Sequence, residues 1–155
     1  MIFRTFPVGL LQCNCVILGC EESGEALVLD PGDEVDRILE VLGDEKLTLK
    51  LILHTHAHLD HFGATAPLAR ATGAPVLLHS ADLPLYEHAS QQAAWMGVPT
   101  PAVTPADRYV RDGESLAWGR LEAEVMHTPG HTPGSVCLRL PARAGAVSGA
   151  GPGEP

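Results

Sequence analysis

Residues 54–63 read His-Thr-His-Ala-His-Leu-Asp-His-Phe-Gly, a run that places four histidines and one aspartate within ten positions. Neutral imidazole and carboxylate are ligands that zinc and similar transition metals prefer. The apolar run 47–53 before it predicts a buried strand, and residues 64–71 after it predict a helix, despite a proline at 67. The histidines therefore occupy a strand-to-helix turn, where α/β proteins bind their ligands.

The spacing of these side chains divides them into two groups. His56 and His58 are two positions apart in an extended turn, so they point the same way and can bind one ion together. Asp60 and His61 follow the bend and could face a neighbouring ion. A tetrahedral site needs a third protein ligand from elsewhere. His131, in a turn stiffened by prolines and glycines, is the best candidate, and the nearby histidine at 127 is its rival.

The rest of the chain reads as strands and helices that alternate around this turn. Three short apolar runs at the start predict an antiparallel meander over 2–6, 13–18 and 25–29. Asp33 is placed to cap a helix that ends at Gly43, and a second long helix is predicted over Ser80–Gly97. Further strands are predicted over 74–79, 108–110, 121–126 and 135–140.

Composition narrows the class of protein. The length of 155 residues fits one domain, and 10 Lys and Arg against 19 Asp and Glu give a net charge of −9. Without a basic cluster, nucleic acid and anionic membranes are excluded as partners. No apolar stretch approaches the ~20 residues of a membrane helix, and no signal peptide opens the chain, so a cytoplasmic location is expected.

The four cysteines form no C-x-x-C pair, which predicts reduced, buried thiols. Cys13 and Cys15 lie on one face of a strand, which leaves a metal or redox pair as the other interpretation of that pair. Asp30, before a Pro-Gly turn, is either a turn former or a group that orients a ligand histidine.

Two motifs together resemble a known family. The run from His56 to His61 matches the H-x-H-x-D-H signature of the metallo-β-lactamase fold superfamily, and Thr128–Thr132 matches its T-P-G-H-T turn. Asn14, the turn 30–32 and the strand 77–79 look like the glyoxalase II-like branch, the hydroxyacylglutathione hydrolases. The resemblance covers roughly residues 1–148. It implies an α/β (α+β) fold, an αββα sandwich that is incomplete and mostly the N-terminal half.

The resemblance also implies roles for individual residues. The ligands of a first metal ion would be His56, His58 and His131, and Asp60 and His61 would serve a second. Asp60 would also be catalytic, by orienting the nucleophile. The implied cofactor is zinc, as one or two ions, with iron or manganese as alternatives. In this pattern the histidines at 54 and 127 are not ligands, and the role of the one at 79 is left open.

The implied activity is hydrolysis of a small-molecule thioester such as S-D-lactoylglutathione by metal-bound hydroxide. One alternative is a persulfide dioxygenase-like iron oxidoreductase. The other is an inactive truncated remnant, because family members continue with a Gly-Asp turn where this sequence has Gly149-Ala150. No aspartate follows Asp112 and no histidine follows His131. We therefore expect a C-terminally truncated or frame-shifted domain over 1–144, a Gly/Ala/Pro-rich disordered tail over 145–155, and a homo-oligomer as an open alternative.

Overall fold

The computed structural model describes residues 1–141, in which a six-stranded sheet packs face to face against a three-stranded sheet. The larger sheet contains β1 (Ile2–Val8), β2 (Cys13–Gly19), β3 (Glu25–Leu29), β4 (Thr48–Leu53), β5 (Val76–His79) and β6 (Arg108–Val110). The smaller contains β7 (Ser115–Trp118), β8 (Leu121–His127) and β9 (Val136–Arg139). The predicted tail over 145–155 and the predicted domain end at 144 lie outside the described residues.

The strands of the larger sheet lie in chain order from β1 to β6. The first three pair antiparallel, as the predicted meander requires, and β3 to β6 pair parallel. Parallel neighbours need crossover connections, and each of the three carries at least one helix, among them α1 (Val35–Asp44) between β3 and β4 and α3 (Thr65–Thr72) between β4 and β5. The predicted strand 108–110 thus extends this sheet and does not join the later strands.

Apolar side chains fill the core between three layers of secondary structure. The helices α1 and α3 bury Ile38 and Leu68 against one face of the larger sheet. The other face of that sheet meets the smaller sheet through side chains such as Leu53 and Trp118. This helix–sheet–sheet order matches three layers of the expected sandwich, and within residues 1–141 no helix follows β7. In the same range, the helices are all too short or too polar to cross a lipid bilayer.

The predicted helix over Ser80–Gly97 is wrong as a single element. The segment folds as a 3-10 turn (Ser80–Asp82), then α4 (Leu83–Glu87) and α5 (Ala89–Met96). Pro84 lies in the first turn of α4, where its missing N–H costs nothing, and so favours a helix start there. His88 then leaves the helical region with ψ 33° and separates the two helices.

Strand β7 was missed by the sequence analysis. It has four residues and follows an Asp-Gly turn, so it offers a short signal. The signal that was available is the alternation of Leu116 and Trp118, both buried against the larger sheet. The predicted helix cap at Asp33 also needs a correction of one position. Asp33 Oδ1 accepts the N–H of Glu34, and Glu34 itself is the residue before the helix.

Gly32 lets the helix α2 (Leu59–Phe62) approach the loop after β3. A Cβ built on Gly32 would lie 1.8 Å from the carbonyl oxygen of Asp60. We therefore expect Gly32→Ala to lower the free energy of unfolding by about 1–3 kcal/mol, as forced overpacking does. Urea denaturation measures this change.

Gly43 supplies the control for that prediction. It lies inside α1, and a Cβ built on it would meet nothing within 4 Å. Gly43→Ala is therefore expected to raise stability by about 0.5–1 kcal/mol, because alanine is the better helix former. Equal unfolding midpoints for Gly32→Ala and the parent chain would contradict the close approach.

Candidate metal centre

Three of the predicted ligands meet at the edge between the two sheets. His56 and His58 lie in the loop between β4 and α2, and His131 lies in the loop between β8 and β9. Their ligand nitrogens all lie within 4.8 Å of one another. The ring centroid of His131 is 4.7 Å from each of the other two. This spacing places the three imidazoles within reach of a single ion.

The environment of His56 suits a metal ligand. Its Nε2 is buried and has no hydrogen-bond partner among the described residues. Burial lowers the pKa of His56 to about 4 and also lowers the pKa of His58, so both rings are neutral near pH 7. The Thr55 hydroxyl donates to Asp30 Oδ2 at 2.6 Å and lies 3.1 Å from His56 Nδ1. The Thr55 oxygen can therefore accept the Nδ1 proton, which leaves the Nε2 lone pair free for an ion.

Asp30 fulfils both roles that the sequence left open. It has a positive φ of 50°, and its carbonyl accepts the N–H of Gly32 at 2.8 Å, so it forms the turn. Its carboxylate also accepts the Thr55 N–H at 2.7 Å and lies 3.1 Å from His61 Nδ1. The same side chain thus orients groups in both predicted ligand pairs.

A second cluster lies directly beside the first. The ligand atoms of Cys13, Asp60 and His61 lie within 4.8 Å of one another, and the rings of His56 and His61 are 3.9 Å apart. Burial alone would lower the pKa of His61, but the close contacts with Asp30 and Cys13 raise it to about 10. An ion at this cluster would have to displace the His61 proton. The sequence predicted Asp60 and His61 here; it left a metal pair of Cys13 with Cys15 as an alternative and did not join Cys13 to Asp60 and His61.

Asp82 connects the two ligand loops, a role that the sequence analysis does not assign to it. Its side chain is fully buried. One carboxylate oxygen accepts the Ala57 N–H at 2.9 Å and the Thr132 hydroxyl at 2.7 Å, and the other accepts the Gly134 N–H at 2.7 Å. A Cβ on Gly134 would lie 2.7 Å from Asp82 Cγ, so this contact needs glycine. Asp82 therefore fixes the loop that carries His58 relative to the loop that carries His131.

The remaining histidines of the two motifs lie outside both clusters. His54 is fully buried, contacts Thr65 Oγ1 at 3.2 Å, and burial lowers its pKa to about 4. His127 lies 2.9 Å from the Pro133 carbonyl through Nε2. Its ring stacks on His79 at 4.0 Å between centroids. The structure thus brings His131, and not its rival at 127, to the other ligands.

Asp60 also borders a cavity of about 380 Å³. The cavity is open to solvent on one side and lies next to the second cluster. Its lining is mainly apolar and includes Leu10, Leu11, Leu59, Met96 and Val98. Such a cavity can take an apolar part of a small molecule, and Asp60 is the ligand candidate that lines it.

Several known proteins are similar to this chain in sequence and in structure. The hydroxyacylglutathione hydrolase GloC of Haemophilus influenzae is 34% identical over 138 residues, which cover 88% of this chain and 65% of that protein. The solved structure of the BLEG-1 B3 metallo-beta-lactamase has a TM-score of 0.83 at 34% identity and covers 92% of this chain and 69% of its own. The di-iron-bound form of TTHA1623 has a TM-score of 0.78 at 38% identity, and the match covers 91% of this chain and 68% of the TTHA1623 chain.

Two of these names, a hydroxyacylglutathione hydrolase and a B3 metallo-beta-lactamase, indicate different substrates. The two solved structures share the fold of this chain. The sequence model described as the Metallo-beta-lactamase superfamily matches residues 8–149, which is most of the chain. Its match spans both motifs and all the residues of the two clusters. The chain belongs to the metallo-beta-lactamase superfamily, a class of metal-dependent hydrolases.

Proposed function

We propose that this chain is a metal-dependent hydrolase that cleaves a thioester such as S-D-lactoylglutathione. The observation that carries the proposal is the convergence of three imidazoles, His56, His58 and His131, within 4.8 Å. The naming of a relative with 34% identity as a hydroxyacylglutathione hydrolase supports the substrate class. The open cavity beside Asp60 has room for part of a small-molecule substrate.

The three imidazoles would hold the first ion, and zinc is the ion that three nitrogen ligands with an open fourth position favour. The divalent cation supplies the Lewis acid that polarises the thioester carbonyl and activates a water molecule. The protein's part is to fix the ligands. Thr55 fixes the proton position on His56, and Asp82 fixes the two ligand loops against each other.

Asp60 is the residue placed to act on the attacking water. Its side chain is 23% exposed, its carboxylate belongs to the second cluster, and the residue also lines the cavity. A carboxylate beside the first cluster can accept a hydrogen bond from water and orient it for attack. Water is the nucleophile, so the reaction needs no serine or cysteine nucleophile. The thiolate leaves as the carbonyl re-forms and takes up the proton that the water gives up.

The test is hydrolysis of S-D-lactoylglutathione by the zinc-loaded chain, followed as release of free thiol. We expect a chelator to lower the rate by at least about 100-fold, since metal catalysis contributes several kcal/mol. Zinc should restore the rate and magnesium should not, because magnesium prefers oxygen ligands.

Two further assays separate this proposal from other activities. Hydrolysis of a β-lactam without thioester cleavage would move the assignment toward the lactamase relatives. Oxygen consumption with glutathione persulfide by the iron-loaded chain would support the dioxygenase alternative. Absence of turnover in every assay would contradict the proposal and favour the inactive remnant.

A further inference from the structure

We propose that Cys13 binds a second metal ion together with Asp60 and His61, through a thiolate, a carboxylate and an imidazole. The inference deepens the proposed function, because it rests on the chain being a metal-dependent hydrolase. It concerns a residue that the family motifs quoted above leave out. The three ligand atoms, which lie within 4.8 Å of one another, are its first support.

The fold holds these three residues in place from two different elements. Cys13 is the first residue of β2 and pairs with Val8 of β1, so its backbone position is fixed by the sheet. Asp60 and His61 lie on α2, whose backbone touches Gly32 in the loop after β3.

Burial and charge at the cluster suit a divalent cation. Cys13 is 6% exposed, and the side chains of Asp60 and His61 are 23% and 21% exposed. As ligands, a thiolate from Cys13 and a carboxylate from Asp60 would bring two negative charges, which one divalent ion would neutralise. Buried charges need a partner of this kind.

Asp30 prepares His61 to act as a ligand. His61 Nδ1 lies 3.1 Å from Asp30 Oδ2, while Nε2 lies 3.6 Å from Asp60 Oδ2 on the other side of the ring. The charge of the Asp30 carboxylate beside Nδ1 favours a proton on Nδ1, which would leave Nε2 for an ion. Carboxylate groups commonly orient metal-ligating histidines in this way.

The other interpretation of Cys13 is an ordinary core thiol, which is the usual state of a free cysteine. Cys15, two residues further along the same strand, is an ordinary core thiol of this kind. It is fully buried, burial raises its pKa above the usual value, and it does not belong to the cluster. Cys15 is therefore the matched control for any test of Cys13.

The ligand set also predicts which ions bind. A thiolate ligand favours zinc, cobalt or cadmium and disfavours magnesium or calcium. The first cluster consists of imidazoles alone, so only an ion at the second cluster would contact sulfur. Sulfur coordination therefore reports on the second ion separately from the first.

Cobalt titration of the metal-free chain tests the proposal through this difference. We expect two cobalt ions per chain by elemental analysis, and a near-ultraviolet thiolate-to-cobalt charge-transfer band in the wild type. Cys13→Ala should lose one ion and the band, and it should keep the other ion. Cys15→Ala should keep both ions and the band, and circular dichroism of each variant checks the fold.

A measurement on the wild type keeps the test decisive should Cys13→Ala fail to fold. Zinc X-ray absorption at two equivalents should show a sulfur neighbour at about 2.3 Å beside nitrogen and oxygen neighbours at about 2.0–2.2 Å. Absence of sulfur, or a band that persists in Cys13→Ala, would overturn the inference. One bound ion without sulfur would overturn it and leave the first centre standing, whereas a chain that binds no ion would contradict the proposed function itself.

Discussion

Replacing Asp82 with alanine is expected to lower the free energy of unfolding by about 3 kcal/mol or more. The carboxylate accepts hydrogen bonds from three buried donors, the N–H groups of Ala57 and Gly134 and the hydroxyl of Thr132. A buried donor left without an acceptor costs about 1–3 kcal/mol. The Thr132 hydroxyl retains a contact with Ser135 Oγ at 2.8 Å, so the two amides carry most of the loss. Since domains are stable by about 5–15 kcal/mol, this is a large change.

The same substitution should weaken the metal centre, because Asp82 joins the two loops that carry its ligands. We expect zinc affinity to fall by about 10- to 100-fold, the range found when groups that orient ligands are removed. Urea denaturation and a zinc competition assay measure the two effects. Asp44→Ala is the control, because Asp44 is exposed at the end of α1, and its stability change should stay within about 0.5 kcal/mol. If Asp82→Ala matched this control, the connecting role of Asp82 would be wrong.

The candidate site could be predicted where its residues are close in sequence. Spacing within 54–61 indicated that His56 and His58 point together and that Asp60 and His61 follow the bend, and the structure has this arrangement. The rigid Pro-Gly turn indicated His131 in the same way. Short-range geometry is fixed by local backbone rules, so a motif of this kind carries its own structure.

Cys13 and Asp82 could not be predicted because their partners are distant in sequence. Asp82 contacts residues 25, 50 and 52 positions away, and Cys13 lies 47 positions before Asp60. The order of strands in the larger sheet decides these contacts. That strand order cannot be derived from one sequence without known strand pairing. In the sequence, an aspartate that follows a strand is also typical of a helix cap.

The strand elements were predictable for a related reason. Alternation and apolar runs located most strands to within a residue or two, since burial on a sheet face imposes them. The prediction of one helix over 80–97 is wrong because the hydrophobic pattern continues through His88, whereas the helical backbone conformation is interrupted there. The hydrophobic pattern indicates which face of a helix is buried. It changes little where the chain changes direction between two short helices.

His131→Ala is expected to have the largest effect on function. One of three imidazoles is removed from the first cluster, so zinc affinity at that centre should fall by more than about 100-fold, beyond the loss from an orienting group. The side chain is exposed, so the free energy of unfolding of the metal-free chain should change by less than about 0.5 kcal/mol. Thioester cleavage should fall to the rate of the chelated wild type.

His127→Ala provides the comparison, because His127 is the other histidine of the same turn and lies outside the cluster. It loses the contact with the Pro133 carbonyl, and the turn loses one of its supports. We expect a loss of zinc affinity smaller than that of His131→Ala. Zinc competition and kcat/KM measured on both variants decide the matter. The reverse order of effects would assign the third ligand to His127 and would mean that the loop between β8 and β9 rearranges when the ion binds.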